Sequence, residues 1–491
     1  MLNVDFHKLL EQLTYDSNNP LLFNSSFFLI FFTIFLVFYQ FIYKFKLTRV
    51  IVFTLFSLYF FYKACGYYFV IILISAVVDF IISNAIYKTE NKLTKKGLLI
   101  FSICINLGLL FYFKYTNFFI EIINGFNTNQ INPLHLILPI GISFYTFENL
   151  SYTIDVYRGE FKPVNSFIDY VFFLSFFPKL MMGPIVRAKD FIPQIRQTIT
   201  ITNKDIGIGF YLIVSGIFKK MIISDYIYTH FVESIFDAPT QFTGIECLFA
   251  TYGYALVIYC DFSGYSDMAI GMARWMGFTI PANFDSPYQS KSITEFWRRW
   301  HISLSSWLKD YLYIPLGGNK KGEYRKYINL IITMLIGGFW HGASWNFIIW
   351  GALHGTALAI DKIITEKFQL LKMNSKFSKI LGIIFTFNFV CFCWIFFKAD
   401  SFDKASEMIT QILFHFNGTV ILDFIINYKI VIALISLGFV LHAVSKNTEL
   451  FLQEKLASTS IFIKTSILIA LISIAILTKD SETVMPIYLQ F

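Results

Sequence analysis

Two stretches decide how this chain folds: EFWRRWHISLSSWLKDYLYIPLGG at residues 295–318 and GGFWHGASWNF at residues 337–347. Each contains a Trp-His pair in a chain that is otherwise strongly apolar. An imidazole at membrane depth costs free energy unless it is hydrogen-bonded or used. His301 and His341 are therefore the first candidates for a functional role.

The composition indicates that lipid surrounds most of the chain. Hydrophobic residues make up 56% of the 491 residues, whereas charged residues make up only 15%. Long apolar runs, most of them near the roughly 20 residues that span a hydrocarbon core, occur at 21–43, 49–62, 66–87, 97–124, 134–154, 167–182, 206–224, 243–262, 328–360, 378–398, 424–444 and 461–478. The sequence predicts an all-α polytopic membrane protein with about eleven to thirteen membrane helices.

The polar segments between these runs have ordinary loop lengths, so we expect residues 1–491 to form a single membrane domain. Acidic residues and no basic region precede the first run, so a removable signal peptide is not expected. Lysines crowd residues 88–96, whereas residues 121–133 contain no Lys or Arg. The positive-inside rule then places the lysine loops in the cytoplasm. The net charge of +8 reflects this loop bias; it favours anionic lipid or an anionic soluble ligand and does not indicate nucleic-acid binding.

Residues 262–327 differ from the rest because they mix charged and aromatic side chains without a clean apolar span. Such sequence is tolerated at a membrane as surface-lying helices or re-entrant backbone. If residues 294–311 form a helix that starts near Thr294, one of its faces carries Trp297, Trp300, His301, Leu304, Trp307 and Leu308. Arg298 and Arg299 lie away from the centre of that face. An interfacial anchor would explain the tryptophans, but it does not need the imidazole.

The run 328–360 would form a helix about 50 Å long, which exceeds a hydrocarbon core of roughly 30 Å. We therefore expect a break at the glycines that flank His341. His354 would lie on a different face of an unbroken helix, which makes it a weaker candidate. The six cysteines are interpreted as small buried hydrophobes, and no metal site is predicted.

Five segments in order resemble one family. They are LPIGISFYTFENLSYTIDVYRG at 138–159, FPKLMMGPIVR at 177–187, YCDFSGYSDMAIGMARWMGF at 259–278, FWRRWHISLSSWLKDYLYIPLGG at 296–318 and GGFWHGASWNFIIWGALHG at 337–355, and the terminal PIYLQF fits the same pattern. Together they resemble the membrane-bound O-acyltransferase family, in particular its bacterial branch for O-acetylation of polysaccharide or peptidoglycan. The motif core covers about 135–360.

The resemblance implies a ring of membrane helices, with re-entrant and interfacial helices, around a central funnel or tunnel. It implies that His341 is the catalytic histidine and that His301 is the second motif position, which is usually Asn or His. A neutral imidazole can remove a proton or carry an acyl group near pH 7. We predict that substrate or the tunnel is lined by Trp300, Trp340, Trp345, Ser344, Asn346, Asp261, Arg298 and Arg299.

The resemblance therefore predicts an acetyltransferase in the bacterial cytoplasmic (inner) membrane. We expect it to bind no cofactor and to use acetyl-CoA as the acyl donor. Lys320, Lys321, Arg325 and Lys326 are candidates to attract the donor's phosphates, although a plain positive-inside loop explains them equally well. The expected partners are an extracytoplasmic acetyltransferase, a glycan acceptor and membrane lipid. Two alternatives stay open: D-alanyl transfer to teichoic acid, and a non-enzymatic transporter of an acyl donor or polymer that uses His341, Asp261 and Asp267 as a proton path.

Overall fold

The computed structural model describes residues 12–17, 20–23, 25–367, 375–477 and 484–489, and every regular element within them is a helix. This confirms the all-α prediction. In these ranges six helices are long and apolar enough to cross a membrane: Lys46–Lys88, Lys92–Lys114, Asn203–Asp237, Gly244–Trp275, Trp345–Glu366 and Lys376–Lys398. Two bent pairs, Phe402–Phe414 with Gly418–Asn427 and Lys429–His442 with Lys446–Ala457, raise the number to eight. The chain is a multi-pass membrane protein.

The candidate spans among the described residues are fewer than the eleven to thirteen helices predicted. Two of the apolar runs explain part of the difference. The run 134–154 contributes to the helix Ile142–Arg158, and the run 167–182 forms Phe167–Ser175 and Phe177–Leu180. Most side chains of these helices are buried inside the protein. Apolar sequence therefore marks protein core here as well as lipid contact.

The chain divides into two compact units, of which the first comprises the chain through Ile206 together with Met272–Pro281. Its α-helices of the described residues are Ser26–Ile42, Lys46–Cys65, Phe69–Lys88, Lys92–Lys114, Thr116–Phe126, Ile142–Arg158, Phe167–Ser175, Phe177–Leu180 and Ala188–Ile195. The expectation of a single membrane domain stays a prediction.

A buried polar network joins three helices of this unit. The Asp79 carboxylate accepts hydrogen bonds from the Ser102 hydroxyl, from the Asn106 amide at 2.7 Å and from the Thr153 hydroxyl at 3.1 Å. All four side chains are buried. Because lipid supplies no competing water, such paired polar groups link helices that apolar contact alone would not fix in register.

A buried ion pair links two of the sequence segments quoted above, 138–159 and 177–187, within the first unit. Lys179 pairs with Glu148, and the backbone N–H of Val186 donates to the other Glu148 oxygen at 3.2 Å. The motif at 138–159 thereby fixes the motif at 177–187.

The second unit comprises Gly207–Gly271 together with the chain from Ala282 onward. The helix that begins at Asn203 continues through two π-helical segments, Phe218–Ser224 and Tyr228–Val232, to Asp237. The remaining longer elements of the described residues are Gly244–Trp275, Ile293–Arg299, Ile302–Leu308, Lys309–Tyr313 (π), Glu323–His341, Trp345–Lys367, Lys376–Lys398, Phe402–Phe414, Ile421–Asn427, Lys429–His442, Lys446–Ala457 and Ile461–Leu477.

The predicted break in the run 328–360 is confirmed. One helix, Glu323–His341, ends at the histidine, and a second, Trp345–Lys367, begins four residues later. The two helices run back along each other with glycine at their contact. A β-carbon added at Gly338 would meet the Phe347 carbonyl oxygen, and one added at Gly351 would lie 2.5 Å from the Met334 carbonyl oxygen. Close backbone approach therefore requires glycine at both positions.

The helix expected over 294–311 is not continuous. Ile293–Arg299 and Ile302–Leu308 are separate helices, and Ser292, not Thr294, caps the first by accepting from the Glu295 N–H. Trp300 is extended and His301 adopts a left-handed conformation with φ 42° and ψ 56°. The predicted apolar face is nevertheless buried, from Trp297 to Leu308. The pattern therefore identified the buried side chains but not the turn between the two helices.

The glycine contact between Glu323–His341 and Trp345–Lys367 can be tested by Gly351→Ala. We expect a loss of about 1–3 kcal/mol of stability, because the new methyl group forces the two backbones apart. Gly108→Ala is the matched control: it also lies inside a helix, but a β-carbon there meets nothing within 4 Å. Thermal unfolding of the detergent-purified protein measures both. Equal melting temperatures for the two variants would contradict the close contact.

Candidate active site

The His301 imidazole lies at the break between two short helices and is fully buried. Its Nδ1 is 3.1 Å from the Oδ1 of Asn283, and its ring centroid is 4.6 Å from that of Phe262 in edge-on contact. Burial lowers the pKa of His301 to about 3, because the charged form loses its hydration. The imidazole is therefore neutral throughout the physiological pH range.

The His341 imidazole lies at the C-terminal end of the helix Glu323–His341 and is 3% exposed. Its ring is enclosed by aromatic side chains, with ring centroids 4.9 Å away for Trp340, 5.0 Å for Trp350 and 5.2 Å for Phe397. The chain reversal that follows the helix makes this enclosure possible, because Trp350 comes from the returning helix.

The structure brings His301 and His341 to one aromatic ring. The Tyr488 ring centroid is 5.5 Å from that of His341 and 6.2 Å from that of His301. Trp340 also contacts both imidazoles, at 4.9 Å and 6.4 Å. Sequence reasoning singled out both histidines but missed Tyr488, although the segment PIYLQF that contains it belonged to the resemblance.

The segment that carries Tyr488 is held by a buried charge cluster. The Ile487 N–H donates to the Asp261 carboxylate at 2.9 Å. Lys220, which is fully buried, pairs with Asp261 at 2.5 Å and with Asp225 at 2.7 Å. Asp261, a predicted site residue, thus acts beside the histidines by anchoring backbone. A lysine inside the apolar run 206–224 was the signal that could have revealed this cluster.

His354 lies close to the same group through shared aromatic rings. Its ring centroid is 4.7 Å from that of Trp350, which also contacts His341. Trp297 Nε1–H donates to His354 Nδ1 at 3.3 Å. The sequence ranks His354 as a weaker candidate because an unbroken helix would place it on a different face from His341. The chain reverses between the two residues, so both imidazoles contact Trp350, and the ranking of His354 stays a prediction.

The other predicted lining residues divide between the buried region and the periphery. Trp300 packs between Phe296 and Trp394, with ring centroids 5.6 Å and 5.0 Å away. Trp345, at the start of the returning helix, is 59% exposed. Only Trp300 and Trp340 of the three predicted tryptophans therefore lie in the buried region.

The predicted polar residues take local roles. Asn346 donates its amide to the Ala399 carbonyl at 2.8 Å, and its N–H donates to the Ser344 hydroxyl oxygen at 3.3 Å. Arg299 pairs with Glu295 at 2.8 Å. These contacts support the chain around the two histidines; they leave Arg298 as the predicted cation that reaches a cavity.

That cavity has a volume of about 510 Å³, within the range of small-molecule sites. Apolar side chains, among them Trp297, Leu330 and Met334, form most of its wall. Its cations are Arg298, Lys309 and Lys362. Since Trp297 also holds His354, one side chain joins this cavity to the buried histidines. A ligand with an anionic end and an apolar end fits this distribution of charge.

Comparison with known proteins places these residues in a family. The sequence model of the MBOAT, membrane-bound O-acyltransferase family matches residues 164–401, which contain His301, His341 and His354. The peptidoglycan O-acetyltransferase of Helicobacter pylori is 37% identical over 377 residues, covering 71% of this chain and 71% of that protein.

Two further relatives differ in the reaction their names describe. The probable alginate O-acetylase AlgI of Azotobacter vinelandii is 43% identical over 310 residues, 62% of this chain and 60% of that protein, so the match spans less than two thirds of its length. The teichoic acid D-alanyltransferase of Bacillus subtilis is 30% identical over 282 residues, 55% of this chain and 71% of that protein. The chain therefore belongs to the membrane-bound O-acyltransferase family and is an O-acyltransferase.

Proposed function

We propose that this protein moves an acetyl group from cytoplasmic acetyl-CoA across the bacterial cytoplasmic membrane for O-acetylation of an extracytoplasmic polysaccharide or peptidoglycan. The observation that carries the proposal is the placement of two buried histidines against one tyrosine ring in a chain of this family. The names of the relatives that are 37% and 43% identical, both O-acetylating proteins, support acetyl as the group transferred.

The chemistry needs a group that handles a proton while the thioester is broken. The hydroxyl oxygen of the acceptor attacks the acetyl carbonyl, the C–S bond breaks, and the electron pair leaves with sulfur. The hydroxyl proton passes to an imidazole and then to the thiolate. His341, enclosed by Trp340, Trp350 and Phe397, is our candidate for the group that contacts the acyl carbon. His301 is our candidate for the imidazole that takes the proton. A dry aromatic enclosure strengthens every electrostatic interaction with the developing charge.

The 510 Å³ cavity supports acetyl-CoA as the donor. Arg298, Lys309 and Lys362 offer positive charge to its phosphates, and the apolar wall accepts the pantetheine arm. Asn319, in the basic loop that also holds Lys320 and Lys321, lines the same cavity. The positive-inside rule assigns this loop to the cytoplasm.

The acceptor side is proposed to use a second protein. A glycan polymer cannot thread a space narrowed by Trp and Phe rings, whereas an acetyl group can. We therefore assign the acceptor hydroxyl at this site to an extracytoplasmic acetyltransferase partner, which completes the transfer to the glycan. D-alanyl transfer ranks second because the relative with that name is less similar, at 30% identity. Membership in an acyltransferase family favours the enzyme over the transporter alternative.

Substitution of the histidines tests the assignment. His341→Ala should abolish O-acetylation, because no other group at that position can contact the acyl carbon. His301→Ala should reduce it strongly but leave residual activity. His135→Ala, at an exposed loop position, is the control. Ester content of the cell-envelope glycans, at matched protein level, is the measurement; wild-type ester content with His341→Ala would refute the catalytic role.

The side of the membrane to which the cavity opens can be tested by cysteine labelling. In a Cys104→Ser background, Lys320→Cys should react only with reagents that cross the membrane, and Asn127→Cys should react with impermeant reagents, as the positive-inside rule requires. Both positions are exposed. Labelling of whole cells followed by mass spectrometry gives the result. The reverse pattern would contradict cytoplasmic entry of the donor.

The need for a partner can be tested in vesicles. The protein alone, with acetyl-CoA on the side of Lys320, should give at most slow thioester hydrolysis and no acetylated glycan. Addition of the partner transferase on the opposite side should restore transfer. Replacing acetyl-CoA by a D-alanyl thioester in a parallel reaction separates the two donor chemistries. Efficient glycan acetylation by the protein alone would refute the two-protein route.

A further inference from the structure

Asn283 holds the left-handed turn at His301 through both its backbone and its side chain. Its backbone carbonyl accepts from the Ile302 N–H at 2.9 Å. Its side-chain Oδ1 accepts from the Ser303 N–H at 3.2 Å and from the Ser303 hydroxyl at 2.8 Å. The Asn283 side chain is 1% exposed. One buried amide thus fixes the three residues 301–303.

These contacts determine which end of the Asn283 amide faces the imidazole. A backbone N–H can only donate, so the atom that receives the Ser303 N–H must be the oxygen. The same atom is 3.1 Å from His301 Nδ1. Because an amide oxygen only accepts, Nδ1 must carry the proton. The neutral imidazole of His301 therefore has its lone pair on Nε2.

The Nε2 atom is the informative one. It is buried and has no hydrogen-bond partner among the described residues. A buried lone pair without a partner costs free energy unless a ligand supplies the donor. The backbone of His301 is strained as well, with φ 42°, and such strain is retained where the surroundings enforce it, often at functional sites.

His354 shows that this tautomer is not a general result of burial. The Trp297 indole N–H can only donate, so His354 Nδ1 accepts and its Nε2 carries the proton. The His354 Nε2 is likewise buried without a partner among the described residues. The two buried imidazoles thus hold opposite tautomers, and each tautomer is set by one polar partner.

We propose that Asn283 is a positioning residue that fixes the Nδ1–H tautomer of His301 and thereby makes His301 Nε2 the atom that receives the acceptor hydroxyl proton. The proposal rests on the function proposed above. The hydroxyl O–H bond breaks, the new bond joins that oxygen to the acetyl carbon, and the C–S bond breaks with its electron pair on sulfur. The imidazolium then returns the proton to the thiolate. His341 is left to contact the acyl group.

The groups packed against His301 include one titratable side chain. Its ring contacts are Phe262, Trp340 and Tyr488, of which Tyr488 is the titratable one. The charged group behind these rings is Asp261, which precedes Phe262 in the chain and is paired with Lys220. A carboxylate placed at 283 would therefore dominate the electrostatics at Nδ1.

The tautomer can be read without an activity assay. We expect ¹⁵N NMR of ¹⁵N-histidine-labelled protein in detergent, with His301→Gln to assign the signal, to show His301 protonated at Nδ1 and unprotonated at Nε2. Asn283→Ala should convert this signal to a mixture of tautomers. Asn329→Ala is the matched control, since Asn329 is another buried amide and donates to the Gly318 carbonyl away from His301. His301 protonated at Nε2 in the wild-type protein would overturn the proposal.

Kinetics provide the second readout. With acetyl-CoA and the partner present, Asn283→Ala should lower kcat roughly 10- to 100-fold with little change in KM. Asn283→Asp keeps the hydrogen-bond acceptor at this position and serves as the second variant in case Asn283→Ala does not fold. It should shift the acid limb of the kcat profile to higher pH, because the carboxylate stabilises the His301 imidazolium. Wild-type kcat and pH profile in both variants would refute the positioning role. If the wild-type protein has the expected tautomer but transfers no acetyl group, the proposed function fails instead.

Discussion

The close backbone contact between the helices Glu323–His341 and Trp345–Lys367 is the constraint on which the rest of the site depends. Glycine at 338 and 351 lets the two helices approach until main chain touches main chain. The reversal between them leaves His341 at a helix end and returns Trp350 and His354 to its side. A larger side chain at the contact would separate the histidines from the aromatic rings that enclose them.

The sequence was sufficient to predict the helical membrane architecture, the break after His341 and the buried face of the tryptophan-rich segment. Each rests on a local property: apolar length, glycine content or helical period. The left-handed turn at His301 could not be predicted in the same way, because its cause is distant: the Asn283 carbonyl and amide hold it from eighteen and more residues away. The role of Tyr488 depends on an anchor at Asp261, more than two hundred residues earlier. No periodic pattern contains such pairings.

Around the two histidines, aromatic rings contact the imidazoles and charged side chains lie farther away. Aromatic rings from Phe262 to Tyr488 exclude water, so that an imidazole stays neutral and its hydrogen bonds gain strength in the low dielectric. Charge is kept one layer away, where Lys220 is shared by Asp225 and Asp261 and each ion has a partner. Breaking one member of such a cluster leaves an uncompensated buried charge, which costs more than the pair contributes. The cluster therefore fixes the backbone that carries Tyr488 from one layer behind the reacting groups.

The left-handed backbone at position 301 also limits which residues evolution can place there. Few side chains tolerate a positive φ, and Asn and His are among those enriched in that region. The residue must in addition offer a hydrogen-bond donor to the buried oxygen of Asn283, a condition that glycine fails and that both an amide and an imidazole can meet. Family members with Asn and with His at this position would then share one backbone geometry while differing in the chemistry they bring to it. The main-chain conformation would then restrict which residues can occupy position 301, before any requirement of the reaction applies.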